Sequence, residues 1–217
     1  MRPWGRGPMD MTNALVGAKS AAPNFDKRIR VLADHLAKTI PGGGSVLDVG
    51  CGDGTLDVRL MQLRPDLSCE GAEVFYRPNQ FIKVTKYDGF NLPFPDKSFD
   101  YVTIIDVLHH SDDPARVICE AARVCRQGVV IKDHLCDGFL AHPTLSFMDW
   151  IGNVAFGVRL PYNFLSTQEW HAAFEKAGLG KAHWNERLGL MLPPLSWLFE
   201  RGLHFVALMT PQRPAST

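Results

Sequence analysis

Apolar residues along the chain recur in two alternating rhythms. In "NFDKRIRVLADHLAKTI" (24–40), Ile29, Leu32, Ala33, Leu36, Ala37 and Ile40 recur every three or four positions, which predicts a helix with one buried stripe. "PGGG" at 41–44 stops it. The short apolar run "SVLDV" then predicts a strand, and "TLDVRLMQL" predicts a helix with Leu56, Leu60 and Leu63 on one face. Strand-like runs follow near 67–74, 82–87, 99–108 and 128–134. Before the last of them, "DPARVICEAARVCRQ" predicts a helix opened by Asp113–Pro114. Alternating strand and helix predicts an α/β fold with a mostly parallel, doubly wound sheet and helices on both faces.

After residue 135 the rhythm changes. A partly helical insertion is expected at about 138–165, with Leu145, Met148, Ile151 and Ala155 in register. Ser166 and Glu169 form a capping box for the next helix, and Gly178 ends it. "KAHWNERL" and "HFVALM" read as two last strands, separated by an apolar, proline-broken segment at about 189–203. Residues 23–217 are expected to form one domain, preceded by a loose segment over 1–22. The insertion and the 189–203 segment are the expected lid over an acceptor.

Composition narrows the classes. Lys plus Arg and Asp plus Glu are 23 each, so the formal net charge is zero, which argues against a dedicated nucleic-acid binder. No apolar run approaches the roughly 18 residues that span a bilayer. Five cysteines without a CxxC pair, and no signal-peptide h-region, lead to the expectation of reduced thiols in the cytoplasm.

In open α/β sheets, ligands bind beyond the C-terminal ends of the strands. Asp48, Gly50, Gly52 and Gly54 fall there, as do Glu73, Asp88–Gly89, Asp106, His109–His110 and Asp133–His134. The turn "GCGDG" has no lysine and is bracketed by Asp48 and Asp53, so a phosphate is disfavoured and a cationic amine or sulfonium is not. Glu73 follows Gly54 by 19 residues, a separation suited to gripping ribose hydroxyls. Asp88 is placed to accept from an adenine amine. Together these describe a nucleoside with a positive tail, S-adenosylmethionine.

"VLDVGCGDG", "GAEV" and "YDGFNLPFPDKSFDYVTIIDVLHHSDDP" resemble, in order, the motifs of class I S-adenosylmethionine-dependent methyltransferases of the type 11, ubiquinone-methylase-like group, over roughly 28–135. The resemblance implies a seven-stranded Rossmann-like sheet whose last strand is antiparallel. It implies that Gly50 and Gly52 pass the methionine moiety, with Asp48 supporting the loop and Cys51 present as a small, inert residue. Glu73 would bind the ribose, Asp88 and Gly89 would face the adenine, and Asp106 would lie near the amino group. "VFYRPNQF" is too short for the helix usual after Glu73, so Val74 and Phe75 are expected to wall the adenine.

His109 and His110 are candidate general bases, a cofactor-positioning role being the alternative. Asp133, His134 and Asp106 are of ligand type, but no metal-binding spacing is present and no metal is expected. His134, Asp149, Trp150, Asn153 and Tyr162 are candidate substrate contacts, against the plainer alternatives of a cap, a surface turn or core. The apolar insertion points to a small hydrophobic or lipid-like acceptor, with peripheral membrane contact compatible and nucleic acid not expected. The expected chemistry is in-line methyl transfer. The alternative is a relative that binds the cofactor without methylating.

Overall fold

In the computed structural model the described residues are 23–75, 77, 79–153, 160–191, 193 and 195–212, with the side chains of 23–25, 152 and 153 left outside. The expected segment 1–22 and part of the insertion lie outside them. Helix α1 (Pro23–Thr39) leads into β1 (Gly44–Val49), α2 (Thr55–Leu63), β2 (Leu67–Glu73), β3 (Val84–Lys86) and β4 (Phe99–Ile105). A 3-10 turn, Leu108–His110, precedes α3 (Pro114–Val124) and β5 (Cys125–His134). Then come α4 (Ala141–Asn153), α5 (Thr167–Lys176), β6 (Leu179–Asn185), α6 (Leu195–Phe199) and β7 (His204–Pro211).

The seven strands form one sheet in the order β3-β2-β1-β4-β5-β7-β6. β1 to β5 pair in parallel, and β7 runs antiparallel to both β5 and β6. The order reverses between β1 and β4, which makes a crevice at their C-terminal ends.

Alternation along each central strand feeds two cores. Leu47, Val49, Val102, Ile104, Val129 and Ile131 pack against Ile118 and Ala121 of α3 and Trp170 and Phe174 of α5. Val46, Tyr101, Val130, Val206 and Leu208 pack against Leu32 and Leu36 of α1 and Leu60 of α2 on the other face. A third, small core of Ala141, Leu145, Phe164 and Leu203 holds the insertion together.

The predicted caps form. Asp113 accepts from the Arg116 N–H at 3.0 Å with Pro114 at the first helical position, and Ser166 and Glu169 complete a reciprocal capping box. Several boundaries differ from expectation: β3 is shorter than 82–87 and β6 runs Leu179–Asn185 instead of 181–188. β4 ends at Ile105, because Asp106 adopts φ 56° and turns the chain out of the sheet. β5 begins at Cys125, directly from α3.

Candidate active site

The turn after β1 uses its glycines in two ways. Gly50, Gly52 and Gly54 have φ of 78°, 61° and 81°. A side chain on Gly50 would run into Val107, and one on Gly54 into Ile82. At Gly52 the same position meets only the end of the flexible Arg77 side chain, in ordinary contact at 3.8 Å, so a ligand that displaces it can approach the backbone here. The Gly52 N–H donates to Glu73 Oε2 at 2.9 Å, while Glu73 Oε1 accepts from the N–H groups of Val74 and Phe75 at 2.8 and 3.2 Å. Glu73 therefore ties the turn to the end of β2.

Beneath the turn lie two buried carboxyls. Asp48 accepts from Thr103 Oγ1 at 2.7 Å and is hydrogen-bonded to Asp57 of α2. Burial pushes Asp48 up to about 7. Burial, then the charge of Asp48, pushes Asp57 well above the carboxylate range. Two carboxyls in such contact cannot both ionise cheaply, so the pair retains a proton near neutrality. Burial and the neighbouring acids also push the Cys51 thiol up, so it holds its proton at neutral pH.

Asp88 is exposed and accepts from the N–H groups of Phe90 and Asn91 and from Asn91 Nδ2, at 2.8, 2.6 and 2.6 Å. Those bonds, the Asn91 N–H first, lower it to about 2. Its carboxylate shapes the loop that sets Gly89, φ 88°, beside Val74. Phe75 is 72% exposed.

At the ends of β4 and β5 the charges converge. Asp106 is held between Lys132 Nζ and the Arg28 guanidinium of α1, the latter at 2.5 Å. Despite burial, these two cations keep Asp106 well below the carboxylate range. Lys132 is 1% exposed, and burial lowers it. His134 and His204 pair across β5 and β7 with ring centroids 4.8 Å apart. Burial pushes His134 down to about 4 and His204 well below its usual value, so both are neutral at pH 7. The expected placement of Asp106 beside a ligand ammonium meets a carboxylate that two of the chain's own cations already hold.

The histidine turn sits on Asp133, which is fully buried. Asp133 accepts from the N–H groups of Leu108 and His134 at 3.0 and 2.8 Å, and from Nδ1 of His109 and of His134 at 2.7 and 3.0 Å. On its other side, His109 Nε2 faces Asp149 Oδ1 at 3.6 Å, and His110 Nε2 faces the same oxygen at 3.7 Å. Burial lowers His109, but Asp133 outweighs it and the ring stands at about 9. Burial, then His109, lowers His110.

A family model described as "Methyltransferase domain" matches residues 24–183. The chain belongs to this methyltransferase domain family. It is 34% identical over 112 residues to 27-O-demethylrifamycin SV methyltransferase of Amycolatopsis mediterranei, covering 45% of this chain and 41% of that protein. It is 24% identical over 194 residues to a ubiquinone/menaquinone biosynthesis C-methyltransferase of Rickettsia bellii, covering 74% and 78%. The first match thus spans under half of its relative's length. Among solved structures, geranyl diphosphate methyltransferase in complex with SAM superposes with TM-score 0.64 at 15% identity, covering 84% of this chain and 85% of that one.

Within the methyltransferase domain, the substrate candidates divide. Asp149 of α4 is buried against the histidine turn, whereas its neighbour Trp150 is 49% exposed and points outward. The Asn153 side chain lies outside the described residues. Tyr162, at φ 55°, packs beside Phe164 in a loop that Asn163 fastens to the turn, its N–H donating to the His109 carbonyl at 3.2 Å. Arg28, Asp57, Lys132 and His204 are site residues that sequence reasoning passed over. Two carried a signal: Asp57 shares the buried stripe of Leu60, and Lys132 interrupts the apolar run of β5.

Proposed function

We propose that this methyltransferase domain transfers the methyl group of S-adenosylmethionine to a small, apolar or lipid-like acceptor. The cofactor part rests on the Gly52–Glu73 link. It sets an acid and an open glycine backbone side by side at the crevice, the pairing a ribose and a methionine tail require. When bound, the cofactor supplies an electrophilic methyl. The chain's part is to align the acceptor with the methyl–sulfur bond and to exclude water. Of the candidate bases, His109 at about 9 already holds its proton at neutral pH. That leaves His110, lowered by burial, and Asp149 as the groups at hand for the acceptor's proton.

The acceptor class rests on one observation. Of the ten exposed large hydrophobics among the described residues, eight fall in 139–151 and 195–198. Among them are Phe139, Phe147, Trp150 and Trp197, and α4 packs on α6. An exposed apolar face of this kind marks a binding surface. The same face suits contact with a bilayer carrying the acceptor. Among the described residues no helix is long and apolar enough to cross one. The five free cysteines support a reducing, cytoplasmic setting.

The test is transfer of tritiated methyl groups to fractionated cell extract. Label in the solvent-extractable fraction supports the proposal, and label confined to tRNA or to water-soluble metabolites overturns the acceptor class. Tight calorimetric binding of S-adenosylmethionine with no label in any fraction favours a cofactor-binding relative instead.

A further inference from the structure

We propose that His109, His110 and Asp149 form a site for one divalent transition-metal ion of the zinc class. Their donor atoms all lie within 4.8 Å of one another. The two Nε2 atoms stand 3.6 and 3.7 Å from Asp149 Oδ1. These separations are too long for hydrogen bonds. They are close to the separation of about 3.4 Å between ligands that sit about 2.1 Å from a tetrahedral ion.

Orientation agrees with the spacing. His109 gives its Nδ1–H to Asp133 at 2.7 Å, which turns Nε2 to the site as the nitrogen whose proton an ion would displace. An imidazole backed by a buried carboxylate is the usual support of a metal-binding histidine. Asp133 is itself fixed by the N–H groups of Leu108 and His134. The second grouping of His109, Asp133 and His134 is already closed by hydrogen bonds of 2.7 and 3.0 Å, so it forms the support and not the site. The His110 side chain is 21% exposed against 4% and 3% for His109 and Asp149, and this open side is where a water or an acceptor atom would complete the coordination. Two imidazoles and one carboxyl favour a zinc-class ion over magnesium or calcium, which take oxygen ligands.

Sequence spacing could not show the site, because Asp149 arrives from the insertion after β5. Its chemical use rests on the transfer proposed above. With an ion bound, His109, His110 and Asp149 would serve as its ligands and not as bases. The ion would supply Lewis acidity that lets an acceptor hydroxyl at the open position give its proton to solvent. The hydroxyl oxygen then bonds to the methyl carbon as the methyl–sulfur bond breaks.

The probe is Co2+, titrated into the chelator-stripped full chain and followed by its visible d–d absorption, then displaced with Zn2+. Saturation at one ion per chain is expected. Asp149→Asn and His110→Ala should each weaken binding at least tenfold, and Asp133→Asn about 10–100-fold. His183→Ala, an exposed imidazole on β6, should change nothing. Circular dichroism checks the fold, and His110→Ala, at the half-buried position, serves if Asp149→Asn fails to fold. Absence of one-to-one binding in the wild type, or unchanged binding in Asp149→Asn and His110→Ala, overturns the proposal. Ion binding is read without methyl transfer, so either result leaves the acceptor reading to its own assay.

Discussion

Replacing Asp48 with asparagine removes a charge that the fold resists. The amide can still accept from Thr103 Oγ1, and its NH2 can donate to Asp57, so the contacts beneath the turn survive. Asp48 titrates near 7 in the fold against an ordinary value of 3.8. The unfolded chain gives up this proton first, so native stability is fully present below pH 3.8 and drains away as pH rises to about 7. A displacement of about three pH units, at about 1.36 kcal/mol each, sets a ceiling of about 4 kcal/mol. Relaxation and the response of Asp57 bring the expected gain for Asp48→Asn to about 2–4 kcal/mol at pH 8, with little change at pH 4. For a chain of this size that is roughly 5–15 °C in Tm. Urea unfolding of both proteins, followed by circular dichroism across that pH range, measures it. Parallel pH profiles for the two proteins would refute the reasoning.

Gly50→Ala meets both a φ of 78° and the Val107 side chain, whereas Gly138→Ala at φ 91° meets no atom within 4 Å. Thermal melts should show the first costing over about 2 kcal/mol and the second about 1 kcal/mol, and equal costs would deny the turn its packing role. Glu73→Gln sets an amide against three backbone N–H groups. S-adenosylmethionine affinity by calorimetry should fall at least tenfold, and unchanged affinity would remove Glu73 from the cofactor site. Lys132→Met leaves Asp106 with only the half-exposed Arg28 and should cost about 2–4 kcal/mol, part of it regained in Lys132→Met/Asp106→Asn, since asparagine tolerates φ 56°. A double variant no more stable than the single one would argue against the ion pair as the cause.

Where local pattern and global fold agree, the chain announced its structure. Leu47 and Val49 alternate with Val46 across β1 because the sheet buries both faces, and Ser166–Glu169 caps α5 because its partners are three residues apart. The glycine turn and Glu73 were equally legible, since spacing along a βαβ unit fixes where both arrive. The convergent charges were not. Arg28 meets Asp106 across 78 residues, and Asp149 meets His109 only after the chain has left the sheet and returned. Asp88 does stand at the strand end, but its local partner was not marked: Asn91, three residues on, offers two donors that its carboxylate accepts within a short loop.

The antiparallel course of β7 has a consequence for how such a domain can change its trade. A reversed strand presents its first residue, His204, at the edge where the parallel strands present their last. Both irregular stretches, 135–166 and 186–203, therefore begin or end at the same place, and the Leu135 N–H bonds the Leu203 carbonyl where they meet. They also share a small core that owes nothing to the sheet's two layers. Under the acceptor reading proposed above, the two stretches would be exchanged together as one piece, leaving every strand register untouched.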